Sequence, residues 1–238
     1  MREALQRLYG ALALLVFGLL IFLLVCPLVI ALPTLASRRA AGRLGVRLAL
    51  LGMGVRLRVE GVGRLPPQPC IVVANHASYL DGLVLTAALP ARFSFVVQNR
   101  VRSWPYVGLT LSRMGVIWVD RWNARAGARD ARGLLKRAEA GESLAIFAEG
   151  TFEDAPGLLR FHNGAFLIAS RVAHPVVPVV LHGTRRLYGG GRRLPRWSAL
   201  RIEVLDPLPA STDAAALRDA ARAAILARCG EPDALAAN

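Results

Sequence analysis

His76 and Asp81 are the two residues whose types and spacing best offer acid–base chemistry in this chain. They follow the apolar run Cys70 to Ala74, which reads as a buried strand. A polar cluster at the end of such a strand lands at its carboxyl edge, where open α/β sheets collect reactive groups. Asp81 falls in the first turn of a helix expected from about Leu80 to Leu89, close enough for its carboxylate to reach back to the imidazole. A carboxylate on one ring nitrogen fixes the tautomer, makes the other nitrogen more basic and stabilises the imidazolium formed when the histidine takes a proton. The same two residues also fit a structural histidine beside an N-capping aspartate.

Other charged groups fall at strand ends. The run Gly115-Val116-Ile117-Trp118-Val119 closes on Asp120 and Arg121. An arginine there can grip a phosphate with its fork of donors, or form an ion pair with Asp120. Phe147-Ala148-Glu149-Gly150-Thr151 places a carboxylate where a strand gives way to a loop. It can accept hydrogen bonds from hydroxyls, and Gly150 lets backbone approach a ligand. Gly141-Glu142-Ser143 mimics a hydrolase nucleophile elbow, but the expected helix precedes the serine and the strand follows, the reverse of what an elbow needs. The four histidines, His76, His162, His174 and His182, share no metal-ligand spacing, and no metal is expected.

Asn75-His76 followed by Asp81 resembles the NHxxxxD box of the glycerolipid acyltransferases, within the lysophospholipid acyltransferase superfamily. The later boxes follow in the family's order. Gly115 to Arg121 is similar to the second, Phe147 to Thr151 to the third, and Val176-Val177-Pro178-Val179 to the fourth. The resemblance covers roughly Arg38 to Asp206. It implies a catalytic base, His76, poised by Asp81, and acyl transfer to a lysophospholipid hydroxyl. The acceptor it points to is 1-acylglycerol-3-phosphate, giving phosphatidic acid. Asn75, Arg121, Glu149, Gly150, Thr151, Arg160 and Pro178 are the implied substrate contacts, with Arg121 on the phosphate and Pro178 lining the acyl or acceptor pocket. No cofactor is implied; acyl-CoA or acyl-carrier protein is the donor substrate. The chain departs from the family at Phe152, Glu153 and Asp154, where an arginine is common, which leaves one phosphate contact to Arg160. Ala148 replaces a usual proline, and His162 a usual lysine. These departures bear on the acceptor, which could instead be an acylated amino acid or a glycolipid. A non-catalytic membrane lipid-binding protein of the same fold is the rival from another class.

The elements that must position these residues alternate along the chain. Strands are expected at Val55–Val59, Cys70–Ala74, Phe93–Val97, Val116–Val119, Leu144–Ala148, Val176–Leu181 and Leu200–Leu205. Helices are expected at Leu80–Leu89, Pro105–Arg113, Ala124–Ala140, Gly164–Ala173 and Asp213–Cys229. This predicts an α/β fold, a mainly parallel or mixed sheet flanked by helices, preceded by a membrane helix or helical hairpin. Three segments follow: residues 1–37 as an anchor, 38–60 as a basic juxtamembrane helix and linker, and 61–238 as the acyltransferase domain.

Leu8 to Ser37 carries no charge, and roughly 20 apolar residues suffice to cross a bilayer. Pro27 and Pro33 leave open a kinked or re-entrant hairpin. Arg38, Arg39, Arg43 and Arg47 follow the anchor, a bias that places the bulk of the chain on the cytoplasmic face of the inner membrane. From Arg38 to Val55 these arginines interleave with leucines and valine, as in a basic helix lying on membrane phospholipids. The net charge of +14, with Lys136 the only lysine, suits any polyanion. The arginines are dispersed around an α/β core behind an anchor, which argues against a nucleic-acid partner. Cys26, Cys70 and Cys229 are odd in number and far apart, so no disulfide framework is expected.

Overall fold

The computed structural model describes residues 2–120 and 124–236. Seven strands form one mixed sheet: β1 (Leu57–Glu60), β2 (Ile71–Ala74), β3 (Phe93–Gln98), β4 (Ile117–Val119), β5 (Ser143–Phe147), β6 (Val176–His182) and β7 (Leu200–Val204), in spatial order β1-β7-β6-β2-β5-β3-β4. The pairs β2/β5, β2/β6, β3/β5 and β3/β4 are parallel. β7 turns antiparallel to β6 and carries β1 parallel beside it. The expected alternation is therefore present, with the reversal confined to one edge. β2 lies inside the sheet, with all four of its residues buried, which is why it reads as an unbroken apolar run.

Helices cover both faces. α4 (Asp81–Ala88), α5 (Pro105–Arg113), α6 (Ala124–Glu139), α7 (Gly164–Val172), the short α8 (Thr184–Tyr188) and α9 (Ala214–Cys229) fall where the sequence pattern puts them, apart from α8, which is too short to show periodicity. One core layer joins Val72, Ala74, Leu85 and Ile202; the other joins Val73, Leu144, Phe166 and Ile225. Alternate residues of β2 thus face opposite layers, as the two-residue period of a strand requires.

The N-terminal region is a helical hairpin docked on this domain. α1 (Arg2–Leu19) passes through a π-helical turn at Leu20–Val25 into α2 (Cys26–Ala31), so that Glu3–Ala31 forms one rod whose most apolar 18 residues have mean hydropathy 3.1. By length and composition it is able to cross a membrane. The π turn follows from Pro27, which has no N–H to give. Cys26 N–H bonds to Ile21 O instead of Phe22 O, and the orphaned Phe22 carbonyl accepts the Tyr106 hydroxyl at 2.9 Å. After a turn at Pro33, α3 (Leu35–Gly52) runs back antiparallel, with Gly42 against Val29, Gly45 against Val25 and Gly52 against Leu20.

α3 was expected to turn its arginines toward a bilayer; in the structure they turn toward the protein. Arg39 is buried and donates to Met114 O at 2.9 Å, Ala91 O at 3.2 Å and Ser94 Oγ at 2.7 Å. Arg47 donates to Ala87 O at 2.8 Å, and Arg38 to Leu32 O at 2.7 Å. These carbonyls lie at or near helix ends and in loops, where a guanidinium can supply donors that the backbone does not. Leu44, Leu48 and Leu51 are left on the outside.

Candidate active site

Parallel register brings the polar strand ends to one edge. Ala74 of β2 stands opposite Phe147 of β5 and Val179 of β6, so Asn75-His76 emerges between Ala148-Glu149 and Val180-Leu181. Asn75 is buried and extends the β2/β6 ladder with its side chain: Nδ2 donates to Leu181 O at 3.1 Å, and Oδ1 accepts Leu181 N–H at 2.8 Å. It fixes where the chain leaves the sheet, and both ends of its amide are engaged in doing so.

Asp81 begins α4 and reaches back across the turn. Its Oδ2 lies 2.8 Å from His76 Nδ1 and also accepts the N–H groups of Ala77 at 2.6 Å and Ser78 at 2.8 Å. The carboxylate is fully buried, at a helix N-terminus where negative charge is favoured, and its Oδ1 has no partner. Because an ionised carboxylate only accepts, His76 Nδ1 carries the proton in this bond and Nε2 keeps its lone pair. The structural and chemical readings of the pair are therefore compatible: the same oxygen shapes the turn and orients the ring.

Aromatic side chains wall the imidazole. Phe147 stacks on it with ring centroids 4.3 Å apart, Phe152 meets it edge-on at 4.6 Å, and the exposed Tyr79 packs edge-on against Phe152 at 4.8 Å. The His76 side chain remains 19% exposed between these rings. The aromatic wall was missed at the sequence level. Phe147 was only the leading aromatic of a box, and Phe152 counted as a departure rather than as a contact.

Glu149 differs most from expectation. It is 2% exposed, and both oxygens face backbone: Oε1 accepts His76 N–H at 2.6 Å and Oε2 accepts Leu159 N–H at 2.7 Å. A carboxylate so placed clamps two loops together instead of meeting a substrate hydroxyl. Burial pushes its pKa up to about 7, against the pull of those two N–H groups, with the Asp81 charge adding to the rise.

The other expected contacts are spread along the same edge. Gly150 turns the chain in the left-handed region at φ +79°, Thr151 is exposed beside it, and Arg160 is exposed further along that loop. Pro178 stays inside the sheet opposite Val73, one residue short of Val179, which stands opposite Ala74 at the end of β2. Arg121 lies outside the described residues. A hollow of about 540 Å³ among Pro66, Pro69, His174 and Pro207 sits at the opposite, amino edge of β2 and β6, away from His76.

A family model described as Acyltransferase matches residues 56–182, from β1 to the end of β6. The class defined by this fold and site is thus that of α/β acyltransferase domains. The chain is 31% identical over 216 residues to human 1-acyl-sn-glycerol-3-phosphate acyltransferase alpha, covering 83% of this chain and 74% of that protein. It is 32% identical over 135 residues to the chloroplastic 1-acyl-sn-glycerol-3-phosphate acyltransferase BAT2 of Brassica napus, and 30% over 166 residues to the human beta enzyme. It spans 39% and 58% of the length of those two relatives. A crystal structure of the 1-acyl-sn-glycerophosphate acyltransferase PlsC from Thermotoga maritima superposes with a TM-score of 0.79 at 20% identity, over 94% of this chain and 95% of that one. The chain belongs to the glycerolipid acyltransferase family.

Proposed function

We propose that the protein is a membrane-associated O-acyltransferase that moves a fatty acyl group from a thioester, acyl-CoA or acyl-carrier protein, to the hydroxyl of a lysophospholipid, with 1-acylglycerol-3-phosphate as acceptor. The observation that carries this reading is the His76–Asp81 contact of 2.8 Å at the carboxyl edge of the sheet. His76 Nε2 takes the proton of the acceptor hydroxyl as its oxygen attacks the thioester carbonyl. The tetrahedral intermediate collapses to the new ester and expels the thiolate, which receives the proton from His76. A thiolate leaves readily, so the step needs no covalent acyl-enzyme.

Membrane association is supported by the hairpin, and the cytoplasmic face by the arginines that follow the rod in sequence. Leu5, Leu8, Leu12 and Leu15 of α1 and Leu44, Leu48 and Leu51 of α3 are exposed, an apolar face that water does not favour. The rod is tied to the domain along its length, by Tyr9 Oη to Met53 O at 3.0 Å near one end and by Arg113 to Ile30 O at 2.8 Å near the other. These ties support a hairpin dipping into one leaflet over a rod that leaves the domain to span the bilayer.

A second reading, an acceptor without phosphate, is favoured by Phe152 beside His76 with the acidic, exposed Glu153 and Asp154 next to it. The deciding experiment measures thiol release from acyl-CoA with a panel of acceptors, 1-acylglycerol-3-phosphate and dephosphorylated or amino-acid-based lipids. Preference for the phosphate-bearing acceptor is expected. Turnover confined to phosphate-free acceptors moves the assignment to the second reading, and wild-type turnover by His76→Ala removes His76 from the mechanism.

A further inference from the structure

The segment after α9 is laid against the loop that leads from Glu149 to α7. Leu158 N–H donates to Pro232 O at 2.9 Å, and Leu158 O accepts Ala234 N–H at 3.3 Å, a parallel bridge across Asp233. Glu231 takes Gly157 N–H at 2.7 Å with one oxygen and the Arg185 guanidinium at 2.8 Å with the other. Asp233 grips Arg222 of α9 through both oxygens, at 2.5 Å and 3.2 Å. Arg222 in turn donates to Leu158 O at 2.9 Å and Leu159 O at 3.1 Å.

The loop has almost no regular structure of its own, so its course depends on what satisfies its backbone. Four of its polar groups, Gly157 N–H, Leu158 N–H, Leu158 O and Leu159 O, are met by the last segment or by the arginine it holds. The next group along, Leu159 N–H, donates to Glu149, whose other oxygen holds the N–H of His76 itself. The connection from Asp233 to the imidazole's own backbone therefore passes through one guanidinium, one peptide and one buried carboxylate.

We propose that Glu231 and Asp233 are positioning residues for His76, acting through the Leu158–Leu159 backbone and Glu149. This rests on the reading of His76 as the base. Displacing a general base by about an ångström is enough to cost on the order of 100-fold in rate, so a slackened clamp is expected to reach turnover before it reaches the fold.

The test compares the full-length chain with the double variant Glu231→Ala/Asp233→Ala, and with the milder Asp233→Asn, by amide hydrogen exchange and by kinetics. Faster exchange is expected at both the Leu159 and the His76 amides. With acyl-CoA and 1-acylglycerol-3-phosphate, kcat is expected to fall about tenfold with KM nearly unchanged, and adding Glu149→Gln to the double variant should lower kcat no further than Glu149→Gln alone. Unchanged exchange at His76 while Leu159 is freed would overturn the proposal, as would losses that multiply in the combined variant. Unfolding of both the double variant and Asp233→Asn would also overturn it, making the segment a folding element. The exchange measurement needs no substrate, so a wild-type enzyme inactive on this acceptor would end the functional reading and leave the clamp to be judged separately.

Discussion

Asp81 Oδ2 sits 2.8 Å from His76 Nδ1 and simultaneously caps the amides of Ala77 and Ser78, so one oxygen both builds the turn after β2 and orients the imidazole. The two duties are separable by substitution. Asp81→Asn keeps an oxygen for the turn but removes the charge that steadies an imidazolium, and we expect kcat to fall by roughly 100-fold or more with little change in thermal unfolding. Asp81→Ala also strands two buried amides and is expected to cost about 2–4 kcal/mol of stability. Steady-state kinetics alongside melting curves distinguish them; equal loss of stability in both variants would show that the carboxylate serves the fold alone.

Glu149 makes stability depend on pH in a window set by its own shift. Its ordinary value is near 4.5, and burial pushes it up to about 7 in the folded protein. Between those values the folded state binds more protons than the unfolded one, so this group's contribution is full below pH about 4.5 and is lost as pH rises through about 7. The change is on the order of 3 kcal/mol. Denaturant titrations of wild type and Glu149→Gln across this range should converge or diverge by that amount, because glutamine does not titrate. A difference between the two proteins that is flat with pH would rule out a buried, titrating Glu149.

Arg39 pins the hairpin to the sheet. Its three hydrogen bonds run to the end of α5, the loop before β3 and Ser94 of β3, and Ser94 Oγ passes on to Glu142 at 2.7 Å. Burial lowers the pKa of the guanidinium, and the nearby Glu142 charge raises it. Arg39→Ala removes the guanidinium from the Met114 and Ala91 carbonyls and leaves Ser94 Oγ to Glu142 and Arg137, an expected loss of about 2–4 kcal/mol. Arg39→Lys is expected to recover only part of this, since an ammonium cannot meet three divergent acceptors as a planar fork does. Faster proteolysis near the Leu32–Thr34 turn, measured against global unfolding, reports whether the hairpin loosens first.

The regular elements were legible because local chemistry settled them. α5 runs from Pro105 to Arg113, the bounds expected from the pattern, with a proline suited to the first helical turn at its start and Gly115 just beyond its end. His76 and Asp81 were legible because they lie only five positions apart, across a strand end and a helix start. Glu149 was placed at the right edge but given the wrong partners, since its ligands are backbone amides 73 and 10 residues away and no side-chain pattern announces an amide. The arginines of α3 failed for a related reason. A basic amphipathic period is the same whether its charges face phosphates or orphaned carbonyls, and the carbonyls of Ala87, Ala91 and Met114 that decide the matter come together only in three dimensions.

Gly45 tests the packing of the hairpin itself. A methyl group there would lie 2.4 Å from a Val25 methyl, on the β-branched side chain of the π-helical turn, which has little freedom to move aside. Glycine normally costs a helix interior about 1 kcal/mol relative to alanine. Gly45→Ala should therefore stabilise an isolated helix and yet destabilise this protein, by about 1–3 kcal/mol, because the clash in a packed seam exceeds the propensity gain. Gly133, whose added methyl would meet nothing, provides the control on α6, and Gly133→Ala is expected to be neutral or stabilising. Unfolding free energy should thus fall in Gly45→Ala and be unchanged or raised in Gly133→Ala; a stabilised Gly45→Ala would mean that the rod and α3 are not in close register.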